Sequence, residues 1–330
     1  MWVPRTRWYG KPPSRWLRWL GVTATIGNFV IIAMGDLVTN SGSAEGCGRS
    51  WPLCHGQFVP TFDAQTLIEF SHRAVVGIIS FAVLGLAIGM LLRTPHRREV
   101  QVLAPGLVFF LFLQAILGAV AVLWPQSAAV LALHMGVSLL AFSTAFLSTV
   151  LLYEEGTIDH VRDLPIPISF RRRVWASMVF LYVVIYVGAF VRHGHAELAC
   201  GGWPLCNGSL LPSLNYLVLV NLSHRVTVVV AVLLFASLWY SARRFRATRP
   251  DLYWGSVSSC LFLLLQGGAG ALVPIFHMAL WTALLHGTLM TPVFGAVAYL
   301  CLHVLPRPRA VREQRLSSTI RRNRWSIRTS

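Results

Sequence analysis

The sequence predicts an all-α integral membrane protein: eight transmembrane helices forming two four-helix bundles related by a pseudo-twofold axis. Three observations carry this. The chain is 55% apolar and 12% charged, whereas soluble domains are about 25% charged. Its apolar runs reach roughly 20 residues, the length a helix needs to cross the hydrocarbon core. The chain also contains a copy of itself, because Trp51 and Trp203, Cys54 and Cys206, His72 and His224, Gln114 and Gln266, Gly118 and Gly270, and His134 and His286 are all 152 residues apart. Each copy holds four apolar runs and begins on the same side of the membrane, so the axis relating them lies along the membrane normal.

In chain order, residues 1–18 form a basic tail carrying Arg5, Arg7, Lys11, Arg15 and Arg18 around Pro12 and Pro13. The run at 19–39 is longer than a signal-peptide core and no small-residue cleavage pattern closes it, so it is read as a retained span. Further runs at 67–92, 101–124 and 129–152 complete a first bundle over 19–152. A polar linker, 153–173, holds Pro165 and Pro167. Runs at 174–192, 216–240, 252–274 and 280–304 form the second bundle, 174–304. The stretch 305–330 is basic, Ser-rich and poor in apolar residues, the composition of a disordered or leaflet-bound tail.

The formal charge of +16 sits in the connections between apolar runs, which points to anionic lipid head groups rather than nucleic acid. Of 28 Lys and Arg residues, 24 fall in 1–18, 93–100, 153–173, 241–251 and 305–330. The opposite connections hold only Arg49, while Arg73, Arg192 and Arg225 lie at helix ends. The positive-inside rule then puts both termini in the cytoplasm and both cysteine loops outside.

Seven of the eleven histidines (55, 96, 160, 193, 195, 277 and 303) fall near the faces or in loops and read as solvated or interfacial. His72, His134, His224 and His286 sit inside apolar helices, where an ionisable side chain marks function by default. Each lies about five residues, or ~8 Å, below the outer surface. Two facing helices of one bundle each offering an imidazole at one level suit the two axial positions of a haem iron. Zinc would need three or four ligands, and each bundle supplies two at that depth, plus Glu69 in one. Two bis-histidine haem sites are therefore expected.

Cys47 with Cys54 and Cys200 with Cys206 face an oxidising side if this topology holds, where disulfides persist. For the second pair a structural staple is the favoured reading; for the first, a staple and a redox pair stay open. Cys260 and Cys301 lie within helices and read as packing residues.

Glu69 precedes His72 by three residues and shares its helix face. It is expected to project toward the edge of a ring bound at His72, where a buried carboxylate is a candidate for proton handling. A helix-start acid serving the macrodipole would not distinguish the halves, yet the equivalent position holds Asn221. One half is built for chemistry, the other for holding a cofactor. Asp36, near the outer end of the first run, reads either as an interfacial acid or as a second proton-handling group. Arg73 and Arg225, directly after the histidines, suit haem propionates or outer head groups.

The EFSHR segment at 69–73, the WPLC segments ending at Cys54 and Cys206, the stretch LVTNSGSAEGCGRSWPLCHG and the four histidines resemble the haem A synthase family, in the form of Gram-positive bacteria with a cysteine pair in each half. The resemblance covers about residues 19–304. It implies an oxidoreductase of the cell membrane that converts a methyl group of haem O to a formyl group through hydroxylated intermediates, with water as oxygen source. It also implies His224 and His286 on a resident haem b, His72 and His134 on the substrate haem O and later the product haem A, and Glu69 with Cys47 and Cys54 as the catalytic set. Membrane lipids, a haem O-producing farnesyltransferase and an electron acceptor are the implied partners, and a homo-oligomer stays open. A di-haem b electron-transfer cytochrome, linked to quinone, and a thiol–disulfide oxidoreductase are the competing classes; the Glu69/Asn221 difference counts against the first and the absence of C-x-x-C spacing against the second.

Overall fold

The computed structural model describes residues 14–60, 62–95, 97–124, 127–154, 164–210 and 212–305. The expectations for most of both basic tails, for the middle of the linker, and for His96 and His160 lie outside them. Eight long α-helices follow in order: α1 Arg15–Asn40, α2 Ala64–Arg93, α3 Arg98–Leu123, α4 Ala128–Glu154, α5 Ile168–His193, α6 Tyr216–Ala242, α7 Pro250–Ile275 and α8 Leu280–Val304. All eight are long and apolar enough to cross a membrane, and among the described residues no strand intervenes, so the chain is a multi-pass helical membrane protein.

Most helices extend past the apolar runs at their basic ends. α1 begins at Arg15, α3 at Arg98, and α5 absorbs Arg171, Arg172 and Arg173. An arginine can occupy a terminal helical turn and still carry its charge to the head groups along its flexible stem, so the apolar run underestimates the helix. At the opposite end, α2 and α6 start on side-chain caps. Asp63 accepts from the Thr66 N–H at 3.0 Å and Asn215 from the Val218 N–H at 2.9 Å, each satisfying an orphan amide of the first turn. The two caps occupy matching places in the repeat.

Within the first half α1 packs on α2, α2 on α3, α3 on α4, and α4 closes back on α1; α5 to α8 close in the same way. Contacts of α1 with α8, and of α4 with α5 and α8, join the halves. Each bundle has its own apolar core, one around Leu86, Met90 and Leu107, the other around Phe235, Leu263 and Phe294. Leu92 and Phe109 instead point outward, as lipid permits, while Phe81 and Leu233 are exposed and also line the cavity described below.

Polar ties join the halves at both ends. On α5, Arg192 Nη2 donates to the Thr39 carbonyl of α1 at 3.5 Å, while its Nη1 pairs with Glu197 at 2.6 Å. At the other end Glu154 of α4 pairs with His303 at 2.9 Å and accepts from the Tyr299 hydroxyl at 3.1 Å. Close by, the buried Arg249–Asp251 pair donates from Arg249 to the His303 carbonyl at 3.1 Å. The expectation of a solvated His303 is corrected here: its side chain is buried, because it is the partner that lets Glu154 enter the seam.

Candidate functional site

The site is built from the outside in. Cys47–Cys54 and Cys200–Cys206 are both disulfides, each closing a short loop over the same end of its own bundle. The first loop is fastened to α2. Cys47 N–H donates to Glu69 Oε2 at 2.8 Å, and the Thr66 hydroxyl donates to the Gly46 carbonyl at 2.6 Å. Arg73 pairs with Glu69 Oε1 and donates to the Ser50 and Leu53 carbonyls at 2.8 and 3.0 Å. Glu69 is only 3% exposed and yet lines the inner cavity. The expectation that it simply points along a ring edge is thereby sharpened, because its carboxylate also ties the cysteine loop to the histidine helix.

The second half repeats this fastening with one reversal. Arg225 donates to Asn221 Oδ1 at 2.9 Å and to the Cys200 and Gly202 carbonyls at 2.9 and 3.1 Å. Asn221 in turn donates to the Ala196 carbonyl at 2.8 Å. Where Glu69 accepts from the loop backbone, Asn221 gives to it, so α6 fastens the second cap without a carboxylate of its own. Both guanidinium groups are drawn up into the caps rather than out to head groups.

Beneath the caps lies one continuous cavity of about 1340 Å³ lined by His72, His134, His224 and His286 together, larger than the roughly 300–1,000 Å³ that holds one drug-sized ligand. Each ring rests against a glycine of the preceding helix: His72 on Gly35, His134 on Gly118, His224 on Gly188 and His286 on Gly270. A Cβ at Gly188 or Gly270 would come within 2.8 Å of the ring, whereas at Gly35 or Gly118 the gap would be 3.5 or 3.6 Å. His286 Nδ1 is bonded to the Gln266 carbonyl at 3.2 Å. The enclosed Nδ1 atoms of His72, His134 and His224 have no hydrogen-bond partner among the described residues. Among those residues no three His, Cys, Asp or Glu side chains gather as a bare ion would require. Two imidazoles per half, seated over small residues beside a wide apolar space, suit an iron whose equatorial ligands come from its own macrocycle.

Between the halves, Asp36 of α1 lies so close to α8 that a Cβ on Gly287 would strike its carboxylate. Its Oδ2 is enclosed with no hydrogen-bond partner among the described residues, and Arg192 is close enough to act on it electrostatically. Phe81 of α2 and Phe112 of α3 line the first-half cavity while facing outward as well.

A profile of the cytochrome oxidase assembly protein family (COX15-CtaA) matches residues 18–298. The chain belongs to that family. It is 40% identical over 297 residues to a protein of Symbiobacterium thermophilum named heme A synthase, covering 88% of this chain and 96% of that one. Proteins of the same name from Staphylococcus saprophyticus (40% identical, covering 88% and 96%) and Geobacillus thermodenitrificans (37%, covering 88% and 92%) are similarly close.

Within this family member, sequence reasoning named the four histidines, Glu69, both cysteine pairs and both arginines, and the structure brings them all to one end of the helices. Cys260 and Cys301 are free thiols away from it, Cys301 buried in packing. The glycine seats under His72 and His224 and the Arg192 tie were missed. The missing signal is a change of offset: Gly35 and Gly188, like Cys47 and Cys200, are 153 residues apart, because the second disulfide loop is one residue shorter. A constant spacing of 152 passes over them.

Proposed function

We propose that this protein is a haem A synthase: it binds haem O between His72 and His134 and oxidises one methyl substituent to a formyl group. The observation that carries the reading is the buried Glu69, placed at the boundary between the first cap and the first histidine pair, with an amide at the matching place in the second half. The names of its relatives agree with it. A first oxidation adds water to the methyl group and releases two electrons and two protons. A second does the same to the hydroxymethyl group, and loss of water from the resulting gem-diol leaves the aldehyde. Two electron pairs pass to an acceptor.

The chain's residues take the following parts. His72 and His134 hold the substrate so that its macrocycle lies below Glu69. Glu69, fixed by the Cys47 N–H and Arg73, presents a desolvated carboxylate to positive charge developing at the methyl carbon, a preorganised electrostatic contribution, and takes up a released proton. We assign Cys47–Cys54, whose loop is fastened to that carboxylate through the Cys47 amide, as the redox-linked pair of the set, and Cys200–Cys206 as the staple of the second cap. Arg73 and Arg225 line the cavity while fastening the caps; Arg73 spends three of its five N–H groups on the cap and can add a propionate, whereas Arg225 spends all five and would have to release a cap bond to take one. His224 and His286 fit a resident haem b, which supplies one-electron transfer when bound. Both termini are cytoplasmic and the caps external. A haem O-producing farnesyltransferase must supply the substrate.

The test is to purify the protein, extract its haems and identify them by chromatography and mass. Haem b together with haem O, a hydroxylated haem O or haem A supports the reading. Two haem b per chain, with neither haem O nor haem A even when haem O is supplied, would instead identify an electron-transfer cytochrome.

A further inference from the structure

The shared cavity is not equally deep in the two halves. In the first it runs down α2 to Val83 and Leu84, down α3 to Leu107 and along α4 to Ala141. In the second it stops at Leu233 on α6, Leu263 on α7 and Met290 on α8, which are the counterparts of Phe81, Leu111 and Ser138. The first half is thus deeper by three residues on α2, four on α3 and three on α4. At 1.5 Å per residue this is about 5 Å, a full helical turn, on three separate walls. From His72 the α2 wall continues for about 18 Å, whereas from His224 the α6 wall continues for about 14 Å.

Two sequence differences account for the shorter cavity on the α6 and α8 walls. The positions 152 residues after Val83, Leu84, Leu107 and Ala141 are Phe235, Ala236, Ser259 and Val293, and none of them lines the cavity. Phe235 is 1% exposed and packs in the second-half core with Leu263 and Val293. A benzyl ring stands where the first half has an isopropyl group, and a valine stands where it has Ala141. At these two positions the second half is the bulkier, while Ala236 and Ser259 are smaller than Leu84 and Leu107 and the cavity does not reach them.

We infer that the extra turn of cavity at Val83, Leu84, Leu107 and Ala141 is the slot for the isoprenoid tail of a farnesylated haem, and that Phe235 closes the equivalent slot so that the second half takes only a haem without a tail. The inference rests on the function proposed above and deepens it, since haem O and haem b differ in this substituent. The slot walls are aliphatic, as a branched hydrocarbon chain requires. The slot descends from the level of the histidines toward the bilayer centre, so the macrocycle stays under Glu69 while the tail points away from the polar caps. One duplicated scaffold therefore sorts two haems by which half has room below the ring.

The experiment measures haem binding rather than turnover. Full-length protein is produced with haem O and haem b both available, purified, and its extracted haems counted per chain by chromatography. Val83→Phe should lower the tail-bearing haem at least tenfold while leaving haem b at the wild-type level, which also reports that the second half is folded. Should Val83→Phe lose haem b as well, Ala141→Leu narrows the same slot from a different helix and is judged by the same ratio. Phe235→Val should raise the tail-bearing haem above one per chain at the expense of haem b. Normal haem O and haem A content in a folded slot variant would overturn the assignment, and so would a Phe235→Val protein that still takes only haem b in its second half. Wild-type protein that binds haem O without converting it would sink the proposed activity and leave the slot standing; a slot variant with normal content in an active protein would do the reverse.

Discussion

The glycine seats permit a test in which two halves of one molecule serve as each other's control. A methyl group placed at Gly188 or Gly270 would sit 2.8 Å from the Cε1 of His224 or His286, about 0.6 Å inside the 3.4 Å at which ordinary contact begins. At Gly35 and Gly118 the same methyl would sit at 3.5 and 3.6 Å from its histidine, in normal contact. Overpacking of this kind costs about 1–3 kcal/mol, and here the cost falls on the ring that must bind. That corresponds to a roughly 5- to 150-fold loss of haem affinity. Gly188→Ala and Gly270→Ala should therefore lose haem b during purification while retaining haem O and haem A. Gly35→Ala and Gly118→Ala should keep all haems near wild-type content. The assay is the haem-to-protein ratio by pyridine haemochrome, with extraction to assign each haem. Equal retention in all four variants, or losses confined to Gly35→Ala and Gly118→Ala, would refute the reasoning.

Further expectations follow from the caps and the seam. Glu69→Gln preserves the shape and can still accept from the Cys47 N–H, so haem content should stay within about twofold while turnover falls by roughly 10²–10³, measured as haem A formed per chain; normal turnover would remove Glu69 from the chemistry. Opening the second loop by Cys200→Ser with Cys206→Ser should lower stability by about 2–3 kcal/mol in a thermal melt and leave residual activity. The matching change at Cys47 and Cys54 should abolish haem A formation at a temperature where the fold persists. Asp251→Asn strands the charge of the buried Arg249 and should destabilise the protein by about 3 kcal/mol, with the haem complement unchanged below the melting transition.

The helices and the histidines were readable because each rests on one strong local signal. An apolar run long enough to span the hydrocarbon core has few structural options in a membrane, and a histidine within such a run is costly enough to need a reason. Helix ends were less readable, since Arg15, Arg98 and Arg171 look like connection but ride on the terminal turns. The role of Glu69 was half readable. Its contrast with Asn221 stands in the sequence, but its bond to the Cys47 amide depends on where a disulfide loop folds back onto the helix that follows it. His303 looked interfacial because nothing local reveals that Glu154, from the other half of the chain, meets it. The depth of the first-half cavity could not be read at all. Val83 and Phe235 are equally apolar, and only the surrounding walls show that one leaves space and the other fills it.

The seam has a consequence for traffic. Arg192 on Thr39 near the caps, and His303 on Glu154 at the far end, tie the halves at both ends, so rocking one half against the other to open a path from face to face would have to break both. For the activity proposed above, the place where Phe81 and Phe112 line the cavity and face outward offers a macrocycle with a hydrocarbon tail a sideways route in the plane of the bilayer, between α2 and α3. A cargo that moves this way never has to be dissolved in water. Delivery becomes a matter of encounter between neighbours in the same membrane, and its rate is governed by how often those neighbours meet.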